Sequence, residues 1–90
     1  MTELCRFYGI VIALFSNDHG EPHIHAFYNE YMVKLTIATG RIVAGDFPAP
    51  ALRLVREWVT LHRGALTAEW ERARRGETIR KVPPLRSRRG

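Results

Sequence analysis

Residues 6–15 form an almost unbroken apolar run rich in Ile, Val and aromatic side chains, which predicts a β-strand. Tyr8, Ile10, Ile12 and Leu14 fall on one face, and Phe7, Gly9, Val11, Ala13 and Phe15 on the other. Both faces are apolar, so a central strand covered on both sides is expected. Residues 16–22 are polar and make the connection. Pro22 biases Glu21 towards an extended backbone and delivers the chain into a second strand over residues 23–28. Asn29-Glu30 is a two-residue link in which Asn tolerates the positive φ of a tight hairpin. Over residues 31–38 the pattern alternates: Tyr31, Val33, Leu35 and Ile37 point inward, Lys34 and Thr36 outward. Thr39-Gly40 turns the chain into a short fourth strand, residues 41–44. Links this short exclude parallel crossovers, so the strands are expected to form an antiparallel meander.

The period then changes. Asp46-Phe47-Pro48-Ala49-Pro50 breaks the sheet and opens a helix, since prolines are accepted in a first turn. From residue 51 to about 75, Leu52, Val55, Val59, Leu66, Trp70 and Ala73 follow helical spacing, widened by Leu54, Trp58, Leu61 and Ala65. Arg53, Arg56, Arg63 and Arg74 gather on the opposite face. Gly64 is expected to divide the helix, and Gly76 to stop it. The predicted fold is α+β: a small antiparallel sheet of three to four strands, followed by a C-terminal helix or two helical segments. One domain is expected over residues 1–82, with residues 83–90 as a basic, flexible tail beginning at Pro83-Pro84.

Ninety residues suffice for one domain with a thin core, burying about 60–65% of the extended surface. At 46% hydrophobic with nine aromatics, the composition argues against disorder. The single Cys5 excludes an intramolecular disulfide and fits a reducing cytoplasm. No signal peptide or membrane helix is expected, because the longest apolar stretch is far below the roughly 20 residues a span requires. A net charge of +5 suggests an acidic partner, but Arg80, Lys81, Arg86, Arg88 and Arg89 account for all of it. The basicity therefore belongs to the end of the chain.

The chemistry concentrates in Asn17-Asp18-His19-Gly20-Glu21-Pro22-His23-Ile24-His25, which holds three of the four histidines. His23 and His25 are two apart and leave one face of a strand, and a turn can bring His19 over that face. Two chemistries suit such a group. Metal-free acid–base cleavage of RNA would use two of the three imidazoles as base and acid, with Arg6, Tyr8 or Lys34 stabilising the phosphate. Metal ligation, by zinc for instance, would use His19, His23 and His25 with Asp18 or Glu21. The bland alternative is structural, with a turn histidine bonded to backbone and two others filling a polar face. His62 lies within the apolar arc of the helix and is expected to be a core residue, approaching His23 and His25 if the helix crosses their face.

Arg6-Phe7-Tyr8-Gly9-Ile10, Asn17-Asp18-His19, Pro22-His23-x-His25-Ala26, Glu57-Trp58, Leu61-His62-Arg63 and Trp70 with Ala73-Arg74 and Gly76 resemble a bacterial family of small domains of unknown function, DUF4160. Where the family pattern has a proline, this chain has Glu21. The resemblance implies a toxin-type member of a two-gene, toxin–antitoxin-like module, neutralised by a small cognate partner. The leading functional expectation is therefore a cytoplasmic protein that binds or cleaves RNA through the histidine cluster, without a cofactor. The rival is a non-enzymatic protein-interaction module, metal-stabilised by the same histidines, with a homodimer among the options. Loss of RNA turnover on histidine substitution, in a protein that stays folded, separates the two.

Overall fold

The computed structural model describes residues 1–16 and 18–86. Five strands form one antiparallel sheet in chain order: β1 (Thr2–Phe7), β2 (Ile10–Leu14), β3 (His23–Tyr28), β4 (Tyr31–Thr36) and β5 (Ile42–Asp46). Two helices follow, α1 (Ala49–Leu61) and α2 (Arg63–Arg74). The α+β class and the meander stand, but the expected three to four strands become five. The apolar run over residues 6–15 is not one strand. It reverses at Tyr8-Gly9, where φ is +52° and +78°, the paired positive values of a tight primed turn. Phe7 thereby pairs with Ile10, and Cys5 with Ile12. An aromatic at the first turn position hid the hairpin, because β-prone residues on either side gave no polar break.

Pleating sorts the two faces. Cys5, Phe7, Ile10, Ile12, Leu14, Ile24, Ala26, Val33, Leu35 and Ile37 are buried and pack against Val55, Trp58, Val59, Leu66 and Trp70 of the helices. The other face carries Val11, Phe27, Met32 and Lys34, all half-buried, beside Ala13, His23, His25 and Thr36, which are buried, so β2 is covered there at its Ala13 end and less so at Val11. Thr36, expected outside, is fully buried and its hydroxyl pairs with that of Thr39, closing the turn into β5. Gly45 has φ +88°, and a Cβ there would run into the Met32 carbonyl and approach Val33 Cα at 3.0 Å. Close backbone approach requires glycine at that position.

The helix divides at His62 (φ −114°, ψ +21°), two residues before the expected Gly64. Arg56 Nε donates to Gly40 O (3.0 Å) and Arg63 Nε to Ile37 O (2.7 Å), fixing both helices to the β4–β5 turn. These two arginines, expected on the face opposite the apolar stripe, are therefore structural.

The C-terminal stretch touches the core. Val82 is buried in the core, its N–H donates to Leu4 O at 3.2 Å, and Leu85 packs against the same cluster. Trp58 Nε1 donates to Pro83 O at 2.7 Å. An apolar Val82 and Leu85 flank the prolines and carry core contacts as far as residue 85. The rest of the expected tail, residues 87–90, lies outside the described residues.

Candidate functional site

β3 places both strand histidines on one face, as period-two alternation requires. The His23 and His25 rings are 5.2 Å apart between centroids. Both residues are 7% exposed. Phe15, at the end of β2, lies over His25 with centroids 4.3 Å apart, and Phe27 stacks beside it at 6.3 Å. Trp70 of α2 covers His23 at 5.1 Å. Trp70 is thus both core and wall of the site, a role its helical spacing alone did not reveal.

The connection between β2 and β3 brings a carboxylate to the pair. Ligand atoms of Asp18, His23 and His25 all lie within 4.8 Å of one another. Asp18 Oδ2 sits 2.9 Å from His23 Nε2. The contact is an ion pair only when the ring is protonated, and His23 Nε2 makes no hydrogen bond. On its other side the His23 ring is well held, with Nδ1 2.8 Å from Glu21 O. A carbonyl only accepts, so Nδ1 carries the proton and donates.

His25 Nδ1 is buried without a partner. Burial first, then the positive charge of a protonated His23 and that of Lys34, hold the His25 pKa below the usual imidazole value, against the opposing pull of Asp18. Lys34 is directly opposite His25 in the β3–β4 register and shares its face.

The other expected site residues are dispersed. His19 is exposed and stands outside the trio, its backbone N–H bonded to Asp18 Oδ1 at 3.0 Å. Asp18 occupies the place proposed for His19, because the connection turns the carboxylate inward and the neighbouring imidazole outward. Arg6 is tied to Glu3 by two contacts of 2.7 and 3.1 Å on β1. Tyr8 sits in the β1–β2 turn, 55% exposed. Of Arg6, Tyr8 and Lys34, only Lys34 neighbours the histidines. Glu21 is exposed and pairs with Arg41 at 3.3 Å. His62 stays against Trp58, with ring centroids 5.4 Å apart. Asn17, which opens the motif, lies outside the described residues. Burial raises the Cys5 thiol to about 12, with the Glu3 carboxylate adding to the effect, so Cys5 is an inert core side chain.

A second feature crosses the less covered part of the sheet face that carries the histidines. Arg6, Val11, Phe27, Met32 and Asp46 are successive register partners and make one row over all five strands. Met1, Glu3, Arg6, Val11 and Phe27 enclose a shallow cavity of about 190 Å³ at one end of this row. Among the described residues, no helix is long and apolar enough to cross a membrane.

A small antiparallel sheet with two helices on one face and a His-x-His strand at its centre defines an α+β domain with a polar cluster beside the core. The family model for the domain of unknown function DUF4160 matches residues 9–71, well over half of the chain. The protein belongs to that family. No curated protein and no solved structure matches the chain.

Proposed function

We propose that this chain is the toxin-type member of a bacterial two-protein module, and that it acts in the cytoplasm by docking a small cognate protein on that less covered part of its sheet. The paired, toxin-like role is carried over from the family resemblance. The docking face rests on one observation, the row Arg6–Val11–Phe27–Met32–Asp46. An apolar centre with charged ends has the anatomy of a protein interface, whose core is apolar and whose rim is polar.

Cleavage of RNA by the histidines fits the site less well. A general acid or base must come within about 2.6–3.2 Å of the proton it transfers. His23 Nε2 and His25 Nδ1 are both buried, and the Phe15 and Trp70 rings lie over their side chains. Four arginines of α2 and the segment after it are also engaged internally: Arg72, Arg74, Arg75 and Arg80 each pair with Glu69, Glu71 or Glu77. A phosphate backbone would have to displace those carboxylates.

The test is co-purification with the product of the adjacent gene. Val11→Glu with Met32→Glu should abolish the complex while the far-ultraviolet spectrum is kept, and His25→Ala should leave the complex intact. A complex that survives the double substitution refutes the docking face. Degradation of RNA by the purified protein, lost on His25→Ala, would refute the binding reading itself. Sedimentation of the protein alone separates a cognate partner from a second copy: a dimer broken by the same substitutions would mean that the face self-associates.

A further inference from the structure

We infer that Asp18, His23 and His25 form a binding site for one divalent transition-metal ion, zinc being the ion the donors fit. Two imidazole nitrogens and one carboxylate oxygen are a borderline-soft set, suited to zinc and its first-row neighbours rather than to calcium or magnesium, which take oxygen.

One hydrogen bond of His23, read in two ways, and the buried state of His25 converge on this assignment. The first reading is the His23 tautomer. With Nδ1–H donating to Glu21 O at 2.8 Å, a neutral His23 presents only a lone pair at Nε2. That nitrogen lies 2.9 Å from Asp18 Oδ2, acceptor beside acceptor. A cation between them converts repulsion into attraction on both sides. An ion about 2.0–2.1 Å from each atom would subtend an angle of about 90° at that separation, and slight opening of the pair reaches the tetrahedral value. The second reading is the carbonyl bond itself. Histidines that ligate metals characteristically donate their other N–H to a carbonyl or carboxylate, which orients the ligating nitrogen. His23 has that arrangement with Glu21.

The other observation is His25, whose Nδ1 is buried and without a hydrogen bond. An unsatisfied buried polar atom is costly, and two of them side by side on one strand call for a common partner. The three donors lie within 4.8 Å of one another, wider than a closed zinc site, so small side-chain adjustments within the trio complete it. Asp18 comes from the β2–β3 connection, whereas both histidines lie on β3. Its side chain is 25% exposed, against 8% for that of His23, so solvent reaches the open coordination position past Asp18. The ion would clasp the β2–β3 connection to β3 beneath Trp70. This inference is independent of the docking reading, since its residues are not those of the row.

The experiment uses the full chain, stripped with chelator and titrated with Zn²⁺, and with Co²⁺ as a visible probe. One ion per chain should bind, raise the thermal midpoint and give the d–d absorption of a nitrogen–oxygen site. The ring resonances of His23 and His25 should move, and those of His19 and His62 should not. Asp18→Asn should weaken binding more than about 100-fold, since even the outer partners of metal ligands are worth 10–100-fold. His25→Ala should abolish it, and His19→Ala should leave it unchanged. Should His25→Ala fail to fold, Asp18→Asn and the ring resonances decide alone. Absence of one-to-one binding, affinity unchanged in Asp18→Asn, or ring shifts confined to His19 or His62 would each overturn the assignment.

Discussion

Trp58→Phe tests whether the C-terminal segment is part of the fold. Trp58 is 0% exposed, touches Phe7 at 5.9 Å between ring centroids, and donates from Nε1 to Pro83 O at 2.7 Å. Phenylalanine keeps the ring against Phe7 but cannot make the hydrogen bond and leaves part of the indole volume empty. The lost apolar contact costs about 1–2 kcal/mol. The missing hydrogen bond adds about 0.5–1.5 kcal/mol, giving about 1.5–3.5 kcal/mol in all. For a domain of this size each kcal/mol moves the thermal midpoint by about 4–8 °C, so a fall of about 6–28 °C is expected. Hydrogen exchange supplies the specific readout. The Val82 amide, which donates to Leu4 O, should exchange faster relative to the amides of β2 and β3. A loss below about 1 kcal/mol, or a Val82 amide whose exchange changes only in step with global stability, would refute the account of Trp58 as the anchor.

Truncation maps the same boundary from the other side. Ending the chain after Arg86 should change stability by less than about 0.5 kcal/mol, whereas ending it after Lys81 removes buried Val82 and the Pro83 acceptor and should cost about 2 kcal/mol or more by urea denaturation. Gly45→Ala should cost about 2 kcal/mol or more, from the φ of +88° and the collision with Met32 O, with faster exchange confined to the β4–β5 amides; a neutral effect would mean that this backbone approach is looser than it stands. In chelator, the depressed His25 pKa favours the neutral ring in the folded state. Its contribution is complete above the ordinary value of 6.5 and lost as pH falls through the lower folded pKa, so the urea midpoint should drop on acidification below about pH 6.5, and less so in His25→Gln; equal slopes in the two proteins would reject His25 as the cause.

Period-two and helical alternation made most of the architecture readable, because burial repeats along regular elements. Val33, Leu35, Val55, Val59 and Leu66 are buried as their spacing required. The same rule put His23 and His25 on one face. What regular spacing does not govern was missed. The Tyr8-Gly9 reversal depends on two positive φ angles inside an apolar run, and only Gly9 marked it. The choice of Asp18 over His19 as third member of the cluster depends on the path of a short aperiodic connection, where adjacent residues have no fixed relative direction. The C-terminal segment was read from its prolines and arginines. Its core contacts come from its few apolar positions, since Val82 and Leu85 find core surface that only the assembled sheet and helices create.

The cluster and the C-terminal segment are joined through one helix. Trp70 covers His23, and its neighbour Glu69 is almost wholly buried, accepting the Arg80 backbone N–H at 2.7 Å and lying 3.4 Å from Arg80 Nε and 3.7 Å from Arg72 Nε. A buried carboxylate is tolerated only when its charge and lone pairs are satisfied, so Glu69 requires the segment that supplies Arg80. That segment then continues to Val82, which bonds to Leu4 on β1. The wall over His23 is therefore held at its far end by the opposite edge of the sheet from β5. Losing Arg80 would leave Glu69 under-compensated inside α2 and release the turn that carries Trp70, exposing the imidazole it covers. Access to the histidine cluster is thus set by packing some way along the chain from the motif itself, and a substitution at Glu69 should register at His23 before it registers in β4 or β5.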